Sequence, residues 1–426
     1  MKHKTYSLLV ISSFPHKNET HGQATVGVAS YTKNVLASLL SYANKHRKHV
    51  KINVFAEQLD NSPRAYVDHG ITVQRLWKRN NIIPFLKLIR KCMLTPADTT
   101  LISFEFAMFG DPWTLIPFLL LLATLRISKR RVVVALHQVV EDITQLSGHL
   151  DLSGRSVWSD ATSVALALFY QILVRLTTKV VVFEDSLKSY LVKLTNHENV
   201  DVIPHGVENV PSVSQQTARK RLHLTKRFTI LCFGYIAWYK GTDWVVNYIH
   251  QYAKRLHTPI RLIIAGGPNP NRVGLSFYRR YLHHIKQQAL QSEDSVVVTG
   301  YVPEKDIKTY FSVSDVVVFP YRIMMSASGP LALTQAYGKP YLLSTALAPT
   351  LEAADATRQM ENLALSERQL TFTLNETDLI HQIKLLQTNR KLRTRLAKFS
   401  RNIGLSRRLT NINSIWWDEL MEEDYL

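Results

Sequence analysis

The chain has 426 residues, 46% of them hydrophobic and 20% charged, which exceeds one ordinary core and excludes a disordered protein; two domains of about 200 residues each are expected. A net charge of +19 and a pI of about 9.8 favour anionic partners, yet no zinc spacing and no aromatic–basic RNA motif accompanies the basic clusters, which argues against nucleic acid. Cys92 and Cys232 are too few and too far apart for a disulfide framework, so a reducing, cytoplasmic location is expected.

Residues 7–11 read as a first β-strand and not as a signal peptide, because the apolar run is short and no clean cleavage site follows. The loop after it, His21-Gly22-Gln23-Ala24-Thr25-Val26-Gly27, opens a helix over 26–42 and is a candidate anion cradle. Strands follow at 50–55, 72–75 and 100–104. The apolar stretch 113–125 is shorter than the ~20 residues a spanning helix needs, and it runs into the basic cluster Lys129-Arg130-Arg131. It reads as a buried or interfacial helix. The chain is therefore soluble or peripheral, an anionic membrane at the inner face being the candidate surface. Strand 132–136 ends in His137, which is either structural or, on the cleft side of a parallel sheet, functional. A helix at 162–176 and a strand at 179–183 complete the first series, closed by Ile203-Pro204-His205-Gly206.

A polar break near 204–226 precedes a second series, with strands at 228–233, 260–265, 295–299, 316–319 and 340–344. Helices at 242–256, 276–291, 304–312 and 330–337 separate them. Runs of valine, isoleucine and leucine between helices imply parallel sheets covered on both faces. The organisation expected is a first Rossmann-like domain over 1–206, a second over 207–405, and a last helix over 406–426 that crosses back to the first.

Several loops can carry chemistry. Cys232-Phe233-Gly234 ends a strand, and Lys240-Gly241 precedes a helix; backbone N–H groups, the helix end and the lysine together suit a phosphate, although a plain strand–loop–helix with a solvated lysine would look alike. Gly266-Gly267 after the next strand brings backbone close to a ligand or makes a tight turn. Ser328-Gly329-Pro330-Leu331 is capping chemistry at a helix start and also an anion site that needs no metal.

Taken in order, these segments resemble glycosyltransferase family 4, the retaining GT-B enzymes. The family's glycine–lysine–glycine loop is matched by Gly234, Lys240 and Gly241, its Ala-Gly strand end by Ala265-Gly266-Gly267-Pro268, and its Gly-Tyr-Val-Pro segment by Gly300-Tyr301-Val302-Pro303. Ser328-Gly329-Pro330-Leu331-Ala332-Leu333 leading to Gly338-Lys339-Pro340 looks like a variant of its helix motif. Gly22, His137, the segment 181–186 and Ile203-Pro204-His205-Gly206 fall in family order. The resemblance implies two doubly wound domains facing across a cleft, and no cofactor beyond a UDP- or GDP-linked sugar as co-substrate. It places the diphosphate near Lys240 and Ser328 to Leu331, the base near Tyr301 and Val302, and the acceptor, a glycan or lipid-linked glycan, against Gly22 and the catalytic His137. It also implies transfer with retention and without metal, in cell-surface polysaccharide biosynthesis. Two departures stand out. The family's loop arginine is Tyr235 here, with Arg272 and Arg322 as candidate replacements, and its paired glutamates fall on Met325 and Leu333. A non-catalytic partner of another glycosyltransferase is the alternative those departures leave open.

Overall fold

A computed structural model describes residues 4–20, 27–106, 108–141, 157–256, 259–270, 272–292 and 295–421. The first half builds a sheet from β1 (Thr5–Ile11), β2 (His49–Glu57), β3 (Ala65–Asp68), β4 (Ile71–Trp77), β5 (Thr99–Phe104), β6 (Arg131–Leu136), β7 (Lys179–Val182) and β8 (Val200–Val202), in the order β3-β4-β2-β1-β5-β6-β7-β8. Among the described residues of this sheet, only the β3–β4 pair is antiparallel. Its helices are α1 (Gly27–Lys45), α2 (Ile82–Leu94), α3 (Leu115–Ile127), α4 (Val157–Leu176) and α5 (Asp185–Thr195).

Burial on both faces follows from the period-two alternation of a strand. In β1, Leu9 and Ile11 enter a core with Phe85 of α2, Phe118 of α3 and Tyr170 of α4. Leu8 and Val10 enter the opposite core with Val35 and Leu39 of α1.

After α6 (Gln215–Arg221) the second half builds an all-parallel sheet from β9 (Phe228–Phe233), β10 (Ile260–Ala265), β11 (Val296–Val298), β12 (Val316–Phe319), β13 (Tyr341–Ser344) and β14 (Thr371–Phe372), ordered β11-β10-β9-β12-β13-β14. Helices α7 (Thr242–Leu256), α8 (Ser276–Leu290), α9 (Glu304–Val313), α10 (Gly329–Ala336), α11 (Ala354–Asn362), α12 (Glu376–Thr388) and α13 (Arg390–Ser406) surround it.

The last helix, α14 (Leu409–Met421), returns to the first sheet. Ile412, Trp416, Trp417 and Leu420 bury in the same core as α1, and Thr99 Oγ1 donates to the Leu420 carbonyl at 2.7 Å. Where the chain crosses, Val207 N–H donates to the Arg407 carbonyl (2.9 Å) and Leu409 N–H to that of Val207 (3.0 Å).

Each sheet reverses direction beside its first strand: β2 and β5 flank β1, and β10 and β12 flank β9. Strand carboxyl ends at such reversal points leave an open crevice, so the loops after β1, β5, β9 and β12 are where a ligand fits. Among the described residues, no helix is long and apolar enough to cross a membrane. Both cysteines are free, as two distant thiols must be.

Candidate functional site

The crevices of the two sheets join in one cavity of about 410 Å³. From the second half come Gly234, Lys240, Gly266, Tyr301, Val302, Ser328, Gly329 and Pro330, all named from the sequence; from the first comes His137. Gly22 lies outside the described residues. Gly241 and Leu331 do not line the cavity, and each does a structural job beside it. Gly241 turns with φ +66° against the Pro320 carbonyl, and Leu331 is buried with its N–H accepted by Ser328 Oγ at 3.3 Å. That capping bond, with Pro330 lacking an N–H, leaves the first turn of α10 fewer donors for an anion than its sequence suggests.

The β9 loop is built by close backbone approach. Gly234 has φ +105°, and a Cβ there would stand 2.9 Å from Pro330 Cγ and 3.2 Å from Lys240 Nζ. Gly266 meets the Gly234 carbonyl so closely that a Cβ would lie 1.9 Å from its oxygen. The loops after β9 and β10 are stitched by Gly234 N–H to the Ala265 carbonyl and Ile236 N–H to that of Gly267, both at 3.0 Å. Side-chain-free backbone thus forms the cavity floor beside the Lys240 ammonium.

Among the described residues, no carboxylate pairs with Lys240. Its Nζ stands 5.9 Å from the ring centres of both Tyr239 and Tyr321, and burial pushes its pKa down to about 8. A desolvated cation without a fixed counter-charge is costly, and an anionic ligand would offset that cost.

Of the two candidate replacements for the loop arginine, only Arg272 lines the cavity. Arg322 is held elsewhere. Its guanidinium donates to both Asp243 carboxylate oxygens (2.9 and 2.8 Å) and to the Trp238 carbonyl, and it stacks 4.8 Å from the Trp238 ring. Met325 and Leu333, at the positions of the family's glutamates, do face the cavity, so that part of its wall is apolar.

His137 sits at the end of β6, its N–H bonded to the Phe104 carbonyl at 2.9 Å. The ring lies among Tyr31 and Phe183, with centroids 5.2 and 4.8 Å away. Burial, with His205 nearby, lowers its pKa to about 3, so it is a neutral imidazole near pH 7. Its buried Nε2 has no hydrogen-bond partner among the described residues.

One residue was missed from the sequence. Glu105 follows β5 directly, beside His137 in register, and lines the cavity. Burial raises its pKa to about 7, opposed by Arg79 and reinforced by Glu57. Its signal was available: all six residues of β5 are buried, so the first residue past the strand's carboxyl end must emerge at the crevice.

Among the described residues, no group of three His, Cys, Asp or Glu side chains could hold a metal ion.

Residues 227–366 match the family model described as glycosyl transferases group 1. A sequence comparison with curated proteins finds no match. Among solved structures, the chain is similar to a sucrose-phosphate synthase from Thermosynechococcus elongatus, with TM-score 0.71, 14% identity, and 96% of this chain and 97% of that one covered. It is similar to the trehalose-6-phosphate synthase OtsA, with TM-score 0.71, 11% identity, and 98% and 99% covered. It is also similar to the Anabaena protein HepE in complex with UDP-glucose, with TM-score 0.64, 15% identity, and 96% and 97% covered. The chain therefore has the GT-B fold over nearly its whole length.

Proposed function

We propose that this protein transfers a sugar from a nucleotide-sugar donor to a glycan or glycolipid acceptor, with retention of configuration. The observation that carries the reading is Lys240, a half-buried ammonium with no carboxylate partner among the described residues, set against the Gly234–Gly266 floor at the reversal point of the second sheet. The match of residues 227–366 and the UDP-glucose bound by the HepE relative support it.

In this reading the diphosphate rests on Lys240 and Arg272, and the base, from UDP or GDP, lies by Tyr301 and Val302. The bond between the sugar's anomeric carbon and the β-phosphate oxygen breaks as the acceptor hydroxyl oxygen bonds to that carbon. The electron pair leaves with the diphosphate, and fixed positive charge and backbone N–H groups stabilise it. The hydroxyl proton passes to the departing phosphate or to water. Attack from the side of the departing phosphate gives retention. Glu105 and the neutral His137 hold the acceptor hydroxyl from the first domain, the hydroxyl pairing with His137 Nε2, which has no partner among the described residues. A glycan of the cell surface is the acceptor class the resemblance favours.

To test this, the purified chain is incubated with UDP- and GDP-sugars, and release of nucleoside diphosphate and transfer to lipid-linked glycans are measured. Turnover with one donor is expected, together with a rise in thermal stability when that donor binds. No donor binding by any of them would sink the reading. A second reading, a non-catalytic partner of another transferase, is favoured by Met325 and Leu333 making part of the wall apolar. It gains if Lys240→Ala leaves cellular glycosylation intact while loss of the whole chain abolishes it.

A further inference from the structure

We propose that the outer face formed by α2, α3 and α4 is a docking surface for an anionic lipid bilayer. Of the eighteen exposed large hydrophobic side chains among the described residues, twelve lie on these three helices or in the turn that starts α3. They form stripes at helical spacing: Ile83, Leu86 and Leu94 on α2, Ile116 and Leu120 on α3, Val164 and Leu168 on α4. The exposure is large, 74% at Ile116 and 81% at Ile127. The helices are neighbours, α3 packing between α2 and α4, so the stripes make one face. The inward sides of the same helices bury Phe85, Leu88, Phe118, Leu121 and Tyr170 in the core, so folding has used one side of each helix and left the other apolar side in water. Contiguous apolar surface of this kind marks a contact that the isolated chain does not make.

Charge identifies the partner. Lys87, Arg90 and Lys91 on α2, with Arg126 and Lys129 at the end of α3, are exposed beside the stripes, and neither helix carries an acidic side chain. Arg130 bonds the Cys92 carbonyl at 2.7 Å, which fixes the end of α2 against this basic cluster. Apolar stripes with a basic border match a headgroup layer over acyl chains: the side chains enter the acyl boundary while the cations meet anionic headgroups. A second copy of the chain is a poor match, because its own basic border would meet this one and each copy carries +19.

The face also adjoins the cavity. Leu166 of α4 packs with Val140 and Met325, and Met325 lines the cavity. Tyr170 of α4 accepts the Val140 N–H at 2.8 Å. A lipid-borne acceptor would meet the crevice next to the bilayer; this last point rests on the transfer reading, whereas docking does not.

Vesicle sedimentation tests it, measured apart from sugar transfer. The parent chain should sediment with phosphatidylcholine vesicles containing phosphatidylglycerol and at least about tenfold less with phosphatidylcholine alone, and added salt should weaken the binding. Ile116→Asp/Leu120→Asp should lower binding about tenfold or more. Lys87→Glu/Lys91→Glu should do the same, and since all four side chains are exposed the fold survives. Leu290→Asp/Leu405→Asp, with the same charge change on exposed sites of the second domain, should bind as the parent does. The proposal is overturned if the parent ignores anionic vesicles or if both docking-face variants bind like it. A solution dimer that Ile116→Asp/Leu120→Asp dissociates, with no vesicle binding, would assign the face to self-association instead.

Discussion

The two walls of the cleft are built from the same fold and opposite chemistry. Among the described residues lining it, the second-domain wall carries the cations Lys240 and Arg272 and a floor of glycine backbone, while the first-domain wall carries Glu105 and two neutral histidines, His137 and His205. One wall offers charge to an anion. The other offers hydrogen bonds to hydroxyls. A parallel sheet supplies only the position, at its strand ends; the residue emerging there decides whether the crevice takes a phosphate or a sugar.

Four perturbations separate these roles. The largest effect is expected from Lys240→Ala, which should weaken binding of the nucleoside diphosphate about a hundredfold or more by calorimetry, without lowering the ligand-free unfolding temperature, since the deleted ammonium is desolvated and unpaired. An unchanged affinity would remove Lys240 from the site. Gly234→Ala comes next. Its φ of +105° and the overlap with Pro330 and Lys240 should cost about 1–3 kcal/mol and about tenfold or more in affinity. Third, pH should act on diphosphate binding through the second wall alone. Lys240 loses its proton as pH rises through about 8, so diphosphate affinity is highest below that value and falls up to about tenfold per pH unit above it. Lys240→Ala should flatten that part of the profile, and a profile unchanged by the substitution would refute the assignment.

The smallest effect probes the first wall. Glu105 binds its proton more tightly folded than unfolded, so its burden on the fold grows as pH rises from the ordinary glutamate value through about 7. Glu105→Gln should therefore raise the unfolding temperature by about 2–4 °C at pH 8 and have little effect at pH 5, with diphosphate affinity unchanged. A weaker diphosphate complex in this variant would show that the walls are not separate.

The second wall was more legible than the first, where His137 was named at its strand end and Glu105 was missed, for a physical reason. Strands β9, β10 and β12 are predominantly apolar runs, interrupted only by Thr229 and Arg261, and their residues 228–233, 260–265 and 316–319 were read off as strands. The loops after β9 and β10 show in local spacing where backbone approaches backbone, because Gly234 and Gly266 leave no room for a Cβ. Glu105 and His137 need no neighbouring pattern, only a place at a strand end. Short edge elements also escaped: β3 is exposed at alternate positions, and β8 and β14 have three and two residues. Helix α2 escaped as well, since Pro84 in its first turn and the cations Lys87, Arg90 and Lys91 disguise its apolar side. The pairing of Arg322 with Asp243 spans 79 positions, and no local pattern reports a contact at that range.

The return of α14 to the first sheet bears on how the protein is made. Leu8, Val10 and the inner side of α1 share their core with Trp416 and Trp417, so that layer stays unfinished while the ribosome threads out some two hundred further residues. During synthesis the first domain is a half-covered sheet waiting for its last helix. A stop codon just before Leu409 would leave the second half with its own core intact, and would make the first half a substrate for chaperones and proteases.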